Sequence, residues 1–195
     1  MNKPITPIAL VDDHSLLRNG LASLIQSFPE YKVLFEADNG KEFIDQLKVH
    51  PPPEIVLLDI TMPEMNGFET ADWIRENLPS ARILVLSVMD TDSIIISMLK
   101  KGARGYLLKD SKPAVFKQAL DSIRDGGFYM NELVSNKMLN YVTQPEGHTA
   151  REISIISTLT EKEVTFLQMA CTEMTYKEIA EAMKLSPRTI DGYRD

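Results

Sequence analysis

The segment Ile55-Val56-Leu57-Leu58-Asp59 is a continuous apolar run that ends in a carboxylate. Three further apolar runs also end in polar residues: residues 8–11 before Asp12 and Asp13, residues 83–86 before Ser87, and residues 106–108 before Lys109. Short apolar runs with polar or proline-containing borders are typical of buried parallel strands. Because the segments between them have helical periodicity, the sequence predicts an α/β fold of repeated strand and helix units.

We expect five such units. The predicted strands cover residues 8–11, 32–36, 55–59, 82–87 and 105–108, and the predicted helices cover residues 16–26, 41–49, 68–77, 93–101 and 114–124. Gly126 and Gly127 are placed to cap the fifth helix. A short amphipathic stretch follows at residues 133–142, and the polar, breaker-rich residues 143–149 after it predict a linker.

The residues that follow these strands predict one chemical site, because the carboxyl ends of parallel strands line one crevice. The crevice would hold Asp12, Asp13, Asp59, Ser87 and Lys109. Carboxylates this close repel one another unless a cation lies among them, and Mg²⁺ prefers oxygen ligands of this kind. With the cation in place, Asp59 would act as a nucleophile toward a phosphoryl group, while Lys109 and Ser87 would face its oxygens.

Each of these residues also has an ordinary structural explanation. The aspartate pair could cap the following helix, Ser87 could simply end a strand, and Lys109 could be a solvated loop charge. All of them occur at successive strand ends, however, and that coincidence favours the phosphoryl-transfer interpretation.

The composition is that of an acidic globular protein. With 195 residues, of which 44% are hydrophobic, the chain is long enough for a medium domain and a small one. The net charge of −7 means that any contact with DNA must be local. The sequence has no membrane-length apolar stretch and no signal-peptide pattern at residues 1–7, so we expect a cytoplasmic protein without a membrane partner. The single cysteine, Cys171, cannot form an internal disulfide.

Three helix starts mark the carboxy-terminal segment. Residues 160–163 and 175–178 fit the Thr-x-x-Glu capping box, and Ser186 with Pro187 is a cap with proline at the first helical position. A helix from 176 to about 184, then a turn and a new cap, is the layout of a helix-turn-helix. Residues 152–195 contain five basic and eight acidic residues, a weak electrostatic basis for DNA binding. A three-helix protein-interaction module is therefore an alternative.

On these motifs, residues 5–126 resemble the receiver domain of two-component response regulators. Residues 157–195 resemble the start of the helix-turn-helix domain of LuxR/NarL-type regulators. The resemblance implies a flavodoxin-like, five-stranded, doubly wound parallel sheet with strand order 2-1-3-4-5, followed by a small all-α domain. It also implies a receiver at 1–127, a linker with a short helix at 128–156, and a DNA-binding domain at 157–195.

For the first domain, the resemblance implies that Asp59 accepts a phosphoryl group from a sensor histidine kinase. It implies Mg²⁺ bound by three carboxylates, from Asp12, Asp13 and Asp59, and by the backbone carbonyl of Thr61. Lys109 and Ser87 would contact the phosphoryl group. Tyr106 matches an aromatic switch whose ring moves inward when the Ser87 hydroxyl is drawn to the phosphate, although it could also be a strand-end aromatic that packs on the next helix.

For the second domain, the resemblance implies DNA contacts at seven positions: Asp191, Gly192 and Asp195 facing bases, Lys177, Thr189 and Arg194 near phosphates, and Arg188 beside them. Two features depart from the family. Asp110 follows Lys109 where many receivers have proline, and family members continue past the position of residue 195. We therefore expect the DNA-binding domain to be incomplete at its carboxyl end and residues 1–195 to bind DNA weakly.

The leading interpretation is a transcription regulator that is switched by phosphorylation, forms a homodimer when phosphorylated, and is not a turnover enzyme. One alternative is a receiver with a protein-binding output. Another is an aspartyl-phosphate phosphatase of the haloacid dehalogenase type, because Asp59-Ile60-Thr61 resembles its nucleophile motif. Those phosphatases place their acidic pair after the lysine and need an acid or equivalent where Thr61 lies, so motif order favours the first interpretation.

The fourth predicted helix contains an unusual concentration of apolar side chains, Ile94, Ile95, Ile96, Met98 and Leu99. Three consecutive helical residues span about 200°, which is wider than one core-facing stripe requires. We expect part of this surface to be exposed and to form phosphorylation-dependent contacts. A broad stripe buried between the sheet and neighbouring helices is the alternative.

Overall fold

The computed structural model describes residues 4–132, 134–135, 166, 169, 175–183, 185–186 and 189–190. The strands are β1 (Thr6–Val11), β2 (Tyr31–Ala37), β3 (Ile55–Asp59), β4 (Arg82–Ser87) and β5 (Ala103–Leu108). The helices are α1 (Ser15–Gln26), α2 (Gly40–Gln46), α3 (Gly67–Asn77), α4 (Asp92–Lys100), α5 (Pro113–Arg124) and α6 (Tyr176–Ala182). The chain divides into two compact units, Met1–Ser157 and Thr158–Asp195.

The five strands form one parallel sheet in the order β2-β1-β3-β4-β5, so the expected fold and strand order are confirmed. Val11 pairs with Leu58, Asp59 with Leu86, and Ser87 with Leu108. The carboxyl ends of β1, β3, β4 and β5 are therefore level with one another. This register brings the residues that follow them to one edge of the sheet.

The chain crosses the sheet in two directions, and this sets the layers of the unit. It moves from β1 to the outer strand β2 and then back across β3, β4 and β5, so right-handed crossovers place α1 on the face opposite α2, α3 and α4. Apolar residues of α1 and α5 pack on that first face: Ile25, Phe116, Ala119, Leu120 and Ile123 lie in one core with alternate residues of the strands. Both faces are covered, which explains why the strands are almost entirely apolar.

The end of α2 differs from the sequence prediction, and the end of α5 agrees with it. α2 ends at Gln46 and not at 49, because three prolines follow at 51–53 and disfavour helical backbone just before them. α5 ends as expected: Gly126 adopts a positive φ of 88°, and the backbone N–H of Gly127 donates to the Ser122 carbonyl. Beyond this cap, Tyr129 forms an isolated parallel bridge with Gly105 and is buried in the same core.

The expected exposed face on α4 is wrong. Ile94, Ile95, Ile96 and Met98 are all buried, and only Leu99 is half-buried. Ser93 and Ser97 are buried as well. A helix with apolar or small side chains on most of its sides is typical of a helix buried on most of its surface. The alternative prediction, a broad stripe buried against neighbouring elements, is therefore correct.

The second unit is described at its centre only. Thr175 and Glu178 form a complete capping box at the start of α6, and the Ser186 hydroxyl accepts a hydrogen bond from the Thr189 N–H. A small core joins these helix starts: Phe166, Ile179, Ala180 and Ile190 are buried together. Two of the three predicted helix starts are confirmed, and the one at residues 160–163 lies outside the described residues.

Candidate functional site

Four strand ends place the predicted site residues at one edge of the sheet. Asp12 and Asp13 follow β1, Asp59 ends β3, Ser87 ends β4, and Lys109 follows β5. The backbone N–H of Lys109 donates to the Ser87 carbonyl at 2.9 Å, which extends the pairing of β4 and β5 to the edge itself. The predicted placement of these residues at one edge of the sheet is therefore observed.

The centre of the site is an ion-paired lysine between two buried carboxylates. Lys109 Nζ lies 2.8 Å from Asp59 Oδ2 and 3.1 Å from Asp12 Oδ2. The side chains of Asp59, Asp12 and Lys109 are 0%, 4% and 8% exposed. Asp59 Oδ1 also accepts a hydrogen bond of 2.7 Å from the Ile60 N–H. Removal of any one of these three side chains would leave an uncompensated charge in a buried environment and destabilise the fold. The three charges therefore depend on one another.

Asp13 and His14 form the solvent side of the same cluster. The ring nitrogen Nδ1 of His14 lies 3.0 Å from Asp13 Oδ1 and 3.5 Å from Asp12 Oδ1. The backbone N–H of His14 donates to Asp12 Oδ1 at 2.8 Å. Burial raises the pKa of Asp13 above its usual value, and the nearby charge of Asp12 adds to this, against the opposing effect of His14. Ionisation of Asp13 is thus disfavoured in the folded protein.

The donor set of this cluster fits a divalent cation. One ligand atom from each of Asp12, Asp13, His14 and Asp59 lies within 4.8 Å of every other. Asp12 Oδ2 is buried, has no hydrogen-bond partner and is ion-paired with the Lys109 ammonium at 3.1 Å. A carboxylate oxygen has two lone pairs, so this oxygen can also bind a metal ion. Thr61, whose carbonyl is the other expected ligand, is buried two residues beyond Asp59.

Two residues that the sequence analysis did not single out fix the loops of the site. The Arg18 guanidinium, on α1, donates to the Asp12 carbonyl and to Glu36 Oε2 at 2.9 Å, so it joins the ends of β1 and β2. Gly67, at the start of α3, lies so close to the site strand that a Cβ there would be 2.2 Å from the Asp59 carbonyl oxygen. Neither contact has a local sequence signal, because both depend on which elements meet in space.

Ser87 and Tyr106 are joined through the backbone of Met89. The Ser87 hydroxyl accepts a hydrogen bond of 3.1 Å from the Met89 N–H, and the Tyr106 hydroxyl donates to the Met89 carbonyl at 2.6 Å. Tyr106 is fully buried. Burial strongly raises the pKa of its hydroxyl, and a hydrogen bond with Ser87 offsets this only in part. The Tyr106 hydroxyl therefore contacts the loop between β4 and α4 next to Ser87.

The predicted DNA-contacting residues are described only in part. Lys177 on α6 and Thr189 are exposed, and the Thr189 hydroxyl forms a hydrogen bond of 2.9 Å with the Ser186 hydroxyl. The other five predicted positions lie outside the described residues: Arg188, Asp191, Gly192, Arg194 and Asp195.

In the described part of the chain, no helix is both long and apolar enough to span a bilayer.

Comparison with known families assigns both halves of the chain. Residues 8–121 match the response regulator receiver domain, and residues 157–195 match the bacterial regulatory proteins of the luxR family. The chain belongs to the LuxR-type response regulators. This regulator therefore controls transcription in a phosphorylation-dependent way, and the family match favours that function over the phosphatase and protein-binding alternatives.

Individual relatives agree with this assignment over most of the chain. The nitrate/nitrite response regulator protein NarL of Escherichia coli (strain K12) is 34% identical over 189 residues, 97% of this chain and 86% of NarL. The transcriptional regulatory protein LnrK of Bacillus subtilis (strain 168) is 33% identical, with 95% and 86% covered. The crystal structure of a LuxR-family two-component response regulator from Aurantimonas sp. SI85-9A1 is similar with a TM-score of 0.66 at 31% identity, covering 72% of this chain and 99% of that one.

Proposed function

We propose that Asp59 is the phosphoacceptor of this response regulator and that its phosphorylation switches DNA binding. The observation that carries the proposal is the triad of Asp59, Lys109 and Asp12, in which a buried carboxylate lies 2.8 Å from a buried ammonium at the carboxyl edge of the sheet. On this proposal the protein is a stoichiometric phosphoacceptor and not a turnover enzyme. The phosphoryl donor is a sensor histidine kinase, as the receiver family implies.

In the reaction, a carboxylate oxygen of Asp59 forms a bond to phosphorus while the bond from phosphorus to the donor breaks. The acceptor then carries an acyl phosphate, and the donor leaves with the bonding electron pair. Lys109 is within reach of the oxygens that gain charge, because its ammonium already lies beside Asp59. Asp59 is buried, so few water molecules surround the attacking oxygen.

We propose Mg²⁺ as the resident cation, held by Asp12, Asp13, Asp59 and the Thr61 carbonyl. When bound, it compensates the carboxylate charges and the negative charge of the phosphoryl oxygens. The hydrogen-bond-free oxygen of Asp12 supports this assignment. The raised pKa of Asp13 also supports it. Burial and the charge of Asp12 disfavour the ionised form of Asp13, and a bound cation would offset both effects.

The switch proposal assigns Ser87 and Tyr106 to the response. If the Ser87 hydroxyl turns toward a phosphoryl group on Asp59, it gives up its hydrogen bond from the Met89 N–H. The loop before α4 then rearranges with Met89, and Tyr106 is held to the same residue through the Met89 carbonyl. A change of only a few kcal/mol in the free-energy difference between two loop conformations changes their population ratio by about tenfold to a hundredfold.

The output proposals rest on the family. We propose that the segment 157–195 contacts DNA through Lys177, Arg188, Thr189, Asp191, Gly192, Arg194 and Asp195, and that the domain boundaries are those expected from the sequence. A regulator that acts on DNA works in the bacterial cytoplasm.

Phosphorylation-dependent homodimer formation is also proposed, but not through α4, whose isoleucines are buried. Sedimentation with and without beryllofluoride tests it, and an unchanged sedimentation coefficient would contradict it.

Intact-mass spectrometry after incubation with acetyl phosphate tests the phosphoacceptor. We expect one added phosphoryl group on the wild type in the presence of Mg²⁺ and none in EDTA. Asp59→Asn should gain none, while the control Asp110→Asn, at an exposed carboxylate beside Lys109, should be labelled like the wild type. Equal labelling of Asp59→Asn and wild type would refute the assignment.

A further inference from the structure

His14 presents a nitrogen donor to the carboxylate cluster. Its Nδ1 lies 3.0 Å from Asp13 Oδ1 and 3.5 Å from Asp12 Oδ1. The histidine side chain is 46% exposed, so an ion that enters from solvent meets it first. The three carboxylates of the expected Mg²⁺ site thus have an imidazole beside them.

The spacing of these atoms is close to that of ligands around a single metal ion. Ligands at about 2.0 to 2.2 Å from one ion are separated by about 3 Å when adjacent and a little over 4 Å when opposite. The candidate ligand atoms of Asp12, Asp13, His14 and Asp59 all lie within 4.8 Å of one another, so a small adjustment of the side chains would bring them around one ion. A second observation comes from the buried Asp12 Oδ2, which has no hydrogen-bond partner and whose close partner is the Lys109 ammonium at 3.1 Å, a cation in the same space.

We propose that His14 is a further metal ligand of this Mg²⁺ site and that it raises the affinity of the site for borderline divalent transition ions, such as Co²⁺ and Zn²⁺. Magnesium prefers hard oxygen ligands, whereas imidazole is a good ligand for Co²⁺, Ni²⁺ and Zn²⁺. The inference rests on the proposed function, since it uses the same carboxylates. Transition ions and Mg²⁺ then compete for one pocket, and the transition ion becomes a second input to the phosphorylation reaction.

The side chain of His14 can be removed with little disturbance to the loop. The shorter of its two contacts with Asp12 Oδ1 is made by the backbone N–H, which donates at 2.8 Å and remains in any substitution except proline, whereas the ring nitrogen lies 3.5 Å away. His14→Ala therefore removes the imidazole and keeps the loop anchor. His50 provides a matched control, because it is a second histidine of the same unit whose ring stacks on Phe35 at 5.3 Å.

The test is isothermal titration of Co²⁺ and of Mg²⁺ into wild type, His14→Ala and His50→Ala, with the visible absorption of bound Co²⁺ recorded in parallel. We expect His14→Ala to weaken Co²⁺ binding about tenfold, to change its absorption, and to alter Mg²⁺ affinity less than twofold. His50→Ala should change neither affinity. A large excess of Mg²⁺ should displace Co²⁺ from the wild type, because both ions occupy one pocket.

Three results would overturn the inference: equal changes in Co²⁺ and Mg²⁺ affinity in His14→Ala, no change in either, or Co²⁺ that Mg²⁺ cannot displace. Labelling by acetyl phosphate separates this failure from failure of the proposed function. If Mg²⁺-dependent labelling of Asp59 is normal but Co²⁺ affinity does not depend on His14, only the metal inference fails. If labelling is absent while Co²⁺ binding depends on His14, only the proposed function fails.

Discussion

Asp13 is a carboxylate of the site whose ionised form is disfavoured in the folded protein. Its pKa is raised, by burial first and by the charge of Asp12 as well, although a hydrogen bond and charge from His14 oppose this. An acid with a raised pKa destabilises the folded state once it is ionised, so the penalty is present above the folded pKa. The penalty is lost as the pH falls below the usual value of 3.8.

We therefore expect Asp13→Asn to stabilise the metal-free protein at pH 7. The gain should be about 0.5 to 1 kcal/mol, because the side chain is 32% exposed and water screens its interactions. It should disappear as the pH is lowered below about 4, where wild-type Asp13 is itself protonated. Thermal denaturation in EDTA over a pH series measures this, with the exposed Asp110→Asn as control; a lower melting temperature for Asp13→Asn at pH 7 would show the account of this charge to be wrong.

Single residues also show how far the sequence could predict the site. Asp12, Asp13, Asp59, Ser87 and Lys109 were predicted together because each follows an apolar run, and strand ends are a local signal. His14 is adjacent to the aspartate pair, yet the direction of its ring is not written in the sequence. The roles of Arg18 and of the Met89 backbone were missed for a related reason: the bond from Arg18 to Glu36 and the bond from Tyr106 to Met89 each join elements that are well separated along the chain.

At the scale of elements, the contact between α3 and β3 decides the position of Asp59. Gly67 begins α3, and its N–H donates to the Ile60 carbonyl at 2.8 Å. A Cβ at residue 67 would lie 2.2 Å from the Asp59 carbonyl oxygen and 2.7 Å from Ile60 Cα. Both neighbours are backbone atoms, so the strand or the helix must move.

Gly67→Ala should therefore destabilise the protein by about 3 kcal/mol, the upper part of the usual cost of overpacking. Gly20→Ala is the matched control: it lies within α1, where a Cβ meets nothing within 4 Å, and alanine should stabilise this helix by about 0.5 to 1 kcal/mol. Urea denaturation gives both values. Equal stability of the two variants would contradict the close approach of α3 to the phosphoacceptor strand.

The existence and order of the elements were predictable, whereas the surroundings of α4 were not. A periodic apolar pattern identifies a strand or a helix, and right-handed crossovers then restrict the topology. For α4, the pattern of three consecutive isoleucines fits both an exposed face and a helix buried on most sides. Burial of Ile94, Ile95 and Ile96 depends on neighbours that no local window contains.

At the scale of the whole first unit, an ionic network joins the start of β2 to α5. The Tyr31 hydroxyl donates to Asp121 Oδ1 at 2.6 Å across 90 residues of sequence, and Lys117 and Arg124 lie 2.9 and 3.1 Å from the same carboxylate. Burial opposes ionisation of Asp121, but the hydrogen bonds from Tyr31 and Lys117 and the two cationic charges outweigh it, so its pKa is lowered.

A lowered pKa means that the ionised Asp121 stabilises the fold above 3.8, the usual value, and that this stability is lost as the pH falls through the folded pKa. Asp121→Asn should thus be less stable than wild type at pH 7. We expect a loss of about 1 kcal/mol, reduced by solvent screening because the side chain is 36% exposed. The difference should close in acid. Chemical denaturation at pH 7 and near pH 3 measures it, with exposed Glu76→Gln as control; a pH-independent difference would contradict the charge-based explanation.

Chemical reduction tests most directly whether the phosphoryl group resides on Asp59. Reduction of the phosphorylated protein with borohydride converts an aspartyl phosphate into homoserine, and peptide mass spectrometry then identifies the residue that carried it. We expect homoserine at position 59 alone, and only in protein treated with acetyl phosphate and Mg²⁺. Homoserine at position 12 or 13, or a phosphorylated protein with no homoserine at position 59, would contradict it.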